Sequence, residues 1–167
     1  TGAQMAGIAG DADGVKRFEA AADALASAIN EQLWDEAKQA YIDCVHADGR
    51  RSDVLSMQTQ VVASLTGVAE GERKDVIDRY LVHPPAHFVQ IGSPFMSFFY
   101  YEALAKIGNV SLILDDIRKH YGNMIDHGAT TCWEQYPNFL ENRANPDMLT
   151  RSHCHAWSSP PAYFLGR

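Results

Sequence analysis

Apolar residues in this chain recur at intervals of three and four rather than two, and that spacing narrows the available folds more than any other feature. Phe18, Ala22, Leu25, Ile29 and Leu33 form the stripe of a long amphipathic helix, with Asp11 or Asp13 ahead of it as a cap. A second stripe, Val54, Met57, Val61, Leu65 and Val68, follows Ser52 or Asp53 in the same relation. Val76, Ile77 and Tyr80 point inward from a shorter helix over about 72–81, which Pro84 and Pro85 stop because neither can donate a backbone hydrogen bond. Ser93-Pro94 opens a helix from Phe95 to Ile107, closed by Gly108, and its aromatic run is bulky on every side, as in helices buried on more than one face. Asn109 caps the next helix, striped by Val110, Ile113, Ile117, Tyr121 and Met124. A sixth helix is expected to start near His155 to Ser159, pass through Leu165 and still be running at Arg167. Leu33 to Arg50 reads as a loop or short hairpin around Asp48-Gly49. With no convincing strand alternation elsewhere, an all-α architecture of helical hairpins follows.

Composition narrows function by exclusion. A net charge of -7 repels nucleic acid and anionic membrane surfaces, and no run of Lys and Arg offsets it. No apolar run approaches the roughly 20 residues of a membrane span, and the Thr-Gly-Ala-Gln start has no signal-peptide pattern. Its first residue is Thr rather than Met, so the compartment stays open. Cys44, Cys132 and Cys154 are too widely spaced for a disulfide framework or a zinc knuckle and read as free thiols. Glycine-rich phosphate loops, GxSxG elbows and HExxH helices are absent from the sequence.

Chemistry concentrates where the helical period is lost. Between Gly128 and Ser152 the chain turns rich in Gly, Asn, Pro and Thr, and long irregular segments of this kind are commonly functional. Glu134 lies between Trp133 and Tyr136, and a carboxylate walled by aromatic rings loses hydration, which raises its pKa toward the range useful for proton transfer. A solvated or capping glutamate is the plain alternative. His153 and His155 alternate, so they should face opposite ways. One of them can bond a sugar hydroxyl, although a buried, satisfied histidine explains either equally well. Trp133 and Trp157 can stack on a sugar ring or simply fill a core. Glu141, Asn142 and Arg143 read as a solvated loop face, and Asp35, Glu36, Asp43 and Asp48 as caps and surface charge. No metal site and no cofactor are expected, and no calcium-ligand cluster stands out.

Gly128-Ala129-Thr130-Thr131-Cys132-Trp133-Glu134, with Ser152-His153-Cys154-His155-Ala156-Trp157-Ser158-Ser159-Pro160-Pro161-Ala162-Tyr163-Phe164-Leu165, resembles the C-terminal half of the catalytic domain of bacterial α-L-rhamnosidases, glycoside hydrolase family 78. The resemblance implies an α/α barrel of six helical hairpins and hydrolysis with inversion at the anomeric carbon. It also implies that Glu134 is the catalytic base, that His155 contacts the sugar and that Trp133 borders its subsite. An inverting enzyme needs a second carboxyl, roughly 6.5 to 9.5 Å from the base. The family's Asp-, Arg- and Glu-rich motif ahead of a Gly-Trp, which carries that acid, is not in this sequence. Twelve helices of about 11 residues with connections of about 6 need more than about 200 residues. The 167 residues here supply six helices at most.

The expectation is therefore about half a barrel, residues 1–167, that lacks the acid, is inactive alone and exposes apolar helix faces to the missing half or to another copy. Its partner would be a rhamnose-containing oligosaccharide or glycoside. Another α/α-barrel carbohydrate enzyme, such as a glucuronyl hydrolase-like or trehalase-like protein, and a non-catalytic carbohydrate-binding module are the competing readings.

Overall fold

The computed structural model describes residues 1–137 and 152–166, so Glu141, Asn142 and Arg143 lie outside the described residues. Seven α-helices are present among those described. The additional one, α1 (Gly2–Ile8), occupies a small-residue stretch with no apolar stripe to announce it. α1 packs on α2 (Ala12–Gln32) across a turn capped by Asp11, whose Oδ1 accepts the Gly14 N–H at 2.8 Å. The cap requires glycine there, because a Cβ on Gly14 would come within 2.2 Å of the Asp11 carboxylate.

Beyond Leu33 the chain forms a two-stranded antiparallel ribbon, β1 (Trp34–Asp35) and β2 (Ala40–Tyr41), with Trp34 opposite Tyr41. Asp35 makes the turn by accepting the Ala37 and Lys38 N–H groups, each at 3.0 Å. Asp48-Gly49 also turns the chain, between the isolated bridge partners Val45 and Arg51. α3 (Met57–Thr66) is capped by Ser56, not by Ser52 or Asp53. The backbone from 52 to 54 is still paired with Asp43 and Cys44, so the helix cannot begin until that pairing ends. Asp43 Oδ1 gathers the Ser56 N–H and hydroxyl and the Thr59 hydroxyl at 3.1, 2.7 and 2.7 Å.

α4 (Gly71–Val82) buries Ile77 and Leu81 and ends before Pro84. α5 (Pro94–Lys106) and α6 (Val110–Asp126) are each followed by a left-handed glycine, Gly108 and Gly128, a conformation that residues with a Cβ rarely adopt. The expected final helix is two pieces, a 3₁₀ turn at Ala156–Ser158 and α7 (Pro160–Phe164), which ends before Leu165 rather than continuing to Arg167.

The main core gathers Ile42, Met57, Val61, Leu81, Tyr101 and Leu104 between α3, α4 and α5. A second core, Trp34, Tyr41, Ala63 and Ile77, joins the ribbon to α3 and α4. A small third cluster, Met124, Trp133 and Tyr136, lies under the irregular segment after α6. Between them α2 and α3 leave an open apolar groove of about 550 Å³ lined in part by Leu25, Ile29, Val62 and Ala63. Leu25 is 61% exposed there. No helix among the described residues is long and apolar enough to cross a membrane.

Candidate active site

Two irregular segments, one after α6 and one before α7, are joined by their backbones. Glu134 donates its N–H to the Ser152 carbonyl and His155 donates its N–H to the Cys132 carbonyl, both at 2.9 Å, so the segments run antiparallel. The Thr131 hydroxyl adds a bond to the His153 carbonyl. From the start of α5, Ser93 Oγ donates to the Glu134 carbonyl at 3.3 Å, and the Gly92 carbonyl accepts the Tyr136 N–H at 3.2 Å. Both backbone groups of Glu134 are thereby held. Ser93 sits at the N-cap position of α5, but its side chain makes no cap bond.

The side chains separate into two groups. His155 Nδ1 is 3.9 Å from Glu134 Oε2, and the two side chains are 22% and 24% exposed. The His155 ring lies 4.4 Å from Trp157, which in turn packs 5.2 Å from Phe95. Trp157 is 57% exposed, so an aromatic face adjoins the carboxylate–imidazole pair in contact with solvent. Trp133, by contrast, is only 4% exposed and is packed with Met124 and Tyr136. Exposed His153 stacks on it with ring centres 4.7 Å apart and planes 16° from parallel. The two imidazoles therefore have different partners, and of the two indoles it is Trp157 that offers its face.

α6 holds this arrangement with residues that, apart from Tyr121, lie off its apolar stripe. His120 stacks on Tyr136 at 4.4 Å, Tyr121 donates its hydroxyl to the Ser158 carbonyl at 3.1 Å, and Asn123 Nδ2 donates to the Pro137 carbonyl at 3.4 Å. Tyr136 donates its hydroxyl to Ser97 Oγ at 2.7 Å. Asp116 takes the Tyr101 hydroxyl at 2.7 Å and lies 3.5 Å from His120 Nε2. Burial pushes the Tyr136 phenol up to about 12 and raises Tyr101 and Tyr121 as well. It also lowers His120, against the pull of the Asp116 carboxylate. A four-residue spacing of Asp116 and His120 beside the α6 stripe was the available signal for this set. Among the described residues, no group of three or more His, Cys, Asp and Glu side chains could hold a metal ion.

Helical hairpins that carry a partly exposed carboxylate, an imidazole and an open indole on the irregular segments between them have the makings of a helical glycosidase domain. The sequence model of the bacterial alpha-L-rhamnosidase 6 hairpin glycosidase domain matches residues 1–167, and the chain belongs to that family. Among solved structures it is similar to a GH78 family rhamnosidase of Bacillus sp. GL1, with 68% identity and a TM-score of 0.93 over 98% of this chain and 17% of that one. It is also similar to a rhamnosidase from Klebsiella oxytoca with rhamnose bound, with 30% identity and a TM-score of 0.66 over 84% of this chain and 26% of that one. The chain thus spans well under a third of the length of either structure. Comparison with curated protein sequences gave no match.

Proposed function

We propose that residues 1–167 are the base-bearing part of an inverting α-L-rhamnosidase and that Glu134 is its general base. The observation that carries this reading is the Glu134–His155 pair, 3.9 Å apart and partly open to solvent beside Trp157. Its membership of a rhamnosidase family supports it. In the reaction, Glu134 removes a proton from water as the water oxygen bonds to the anomeric carbon of a terminal α-L-rhamnose. The bond from that carbon to the glycosidic oxygen breaks, and the departing oxygen takes a proton from an acid supplied by the rest of the enzyme. His155 bonds a sugar hydroxyl, Trp157 stacks on the ring, and Trp133 with His153 supports the Glu134 segment from behind. The apolar groove between α2 and α3 fits packing against further helical hairpins of a longer chain.

The test is made in the full-length enzyme. Glu134→Gln should lower kcat on an aryl α-L-rhamnoside by about a thousandfold or more, with the melting temperature unchanged. Near-wild-type hydrolysis by that variant removes Glu134 from the role. Proton NMR of the first sugar released should show the β anomer, and release of α-rhamnose would exclude inversion.

A further inference from the structure

We propose that Tyr136 is a positioning residue whose hydroxyl, held by Ser97, sets the aim of Glu134. The inference rests on the reading of Glu134 as the base. Ser93 and Ser97 lie one turn apart on α5, and a helical turn rises about 5.4 Å. Residues 134 and 136 are two positions apart, with Gln135 between them, and their Cα atoms lie at most about 7 Å from one another. Of the two hydroxyls, Ser93 takes the main chain of this short segment and Ser97 the far end of a side chain that it carries. Ser93 holds the Glu134 carbonyl at 3.3 Å, and Ser97 holds the Tyr136 phenol at 2.7 Å. One rigid helix face thus fixes the Glu134 segment at both points, and the Gly92 carbonyl takes the Tyr136 N–H between them at 3.2 Å.

From the other side the Tyr136 ring is clamped by His120, stacked at 4.4 Å with planes 28° from parallel, and by Tyr121, edge-on at 5.7 Å. Asp116 orients that clamp, 3.5 Å from His120 Nε2 and bonded to the Tyr101 hydroxyl at 2.7 Å. Tyr136 and Ser97 are both buried, and the phenol stays neutral at working pH. Their contribution is mechanical. An inverting base must leave room for one water between itself and the sugar, and a displacement of about 1 Å can cost about a hundredfold in rate.

The experiment uses the full-length enzyme and an aryl α-L-rhamnoside. Tyr136→Phe keeps the stacked ring and removes only the hydroxyl, while Ser97→Ala removes its partner. Each should lower kcat about tenfold with KM and the rhamnose Kd unchanged and the melting temperature within a few degrees. The double variant should be no slower than either single one, as for two ends of one bond. Added to Glu134→Gln, Tyr136→Phe should cause no further loss. Wild-type kcat in both single variants overturns the positioning role, as does an equal loss of rhamnose affinity, or additive losses in the double variant. If Glu134→Gln is inactive while Tyr136→Phe and Ser97→Ala are normal, the base stands and the positioning role falls. If Glu134→Gln is itself active, the base fails first.

Discussion

Two regions of the molecule, residues 33–60, which include the first turn of α3, and the pair of segments around Glu134 and His155, solve the same problem in opposite ways. In the first, polar side chains are consumed by the chain that carries them. Gln60, fully buried, accepts the Tyr41 N–H at 3.1 Å and returns bonds to the Tyr41 and Ser56 carbonyls at 2.8 and 3.1 Å. Asp43 is occupied by three donors. In the second, hydroxyls and rings from α5 and α6 hold the backbone, while the Glu134 carboxylate lies 3.9 Å from an imidazole and its side chain keeps about a quarter of its surface in solvent among the described residues. A carboxylate surrounded by donors is a structural strut. One whose main chain is held while its head is left open is available for proton transfer.

The sharpest way to break that contrast is a pair of tryptophan truncations. Trp133→Ala should cost about 3–5 kcal/mol of unfolding free energy, because it empties the small core with Met124 and Tyr136. Trp157→Ala should leave the denaturation midpoint in place while rhamnose affinity falls several-fold by titration calorimetry. Equal destabilisation by the two would erase the distinction between a supporting indole and an open one. Gln60→Leu comes next. It leaves the Tyr41 N–H and carbonyl buried without their partners, for a loss of about 2–3 kcal/mol in urea denaturation and no change in kcat of the folded enzyme. A kcat effect there would mean that the two regions are coupled.

The smallest effect concerns pH. Burial holds the His120 imidazole below its ordinary 6.5, with Lys119 pushing the same way and Asp116 opposing. The unfolded chain therefore binds this proton at higher pH than the folded one, so the contribution to stability is present above about 6.5 and is lost as pH falls toward the folded value. Melting temperatures taken between about pH 7 and pH 5 should fall less steeply in His120→Phe than in the wild type. Parallel slopes would show that His120 is not what makes the site region acid-sensitive.

Most helices were readable because their evidence is local. Asp11 precedes its stripe by a few residues, and Gly108 and Gly128 stand where a left-handed residue must end α5 and α6. α1 was not, since its seven residues carry no apolar period. Ser93-Pro94 has the local pattern of a cap, yet the Ser93 hydroxyl finds its partner 41 residues away at Glu134, and no window of sequence contains that competition. Ser56 displaced Ser52 as the cap of α3 for a similar reason, the pairing of 52–54 with a segment ten residues earlier. Glu134 and His155 were each singled out through the family motif, for different roles, whereas their spacing of 21 positions carries no signal of the contact between them. The two indoles were chemically indistinguishable in sequence. Only the packing of Met124 and Tyr136 on one, and of partly buried His155 and exposed Phe95 beside the other, separates them.

The chain leaves this site at Pro137, whose carbonyl is tied to Asn123, and returns to it at Ser152, whose carbonyl is tied to Glu134. Both of these ties are made by main-chain carbonyls, so a substitution at Pro137 or Ser152 that leaves the backbone in place keeps both bonds.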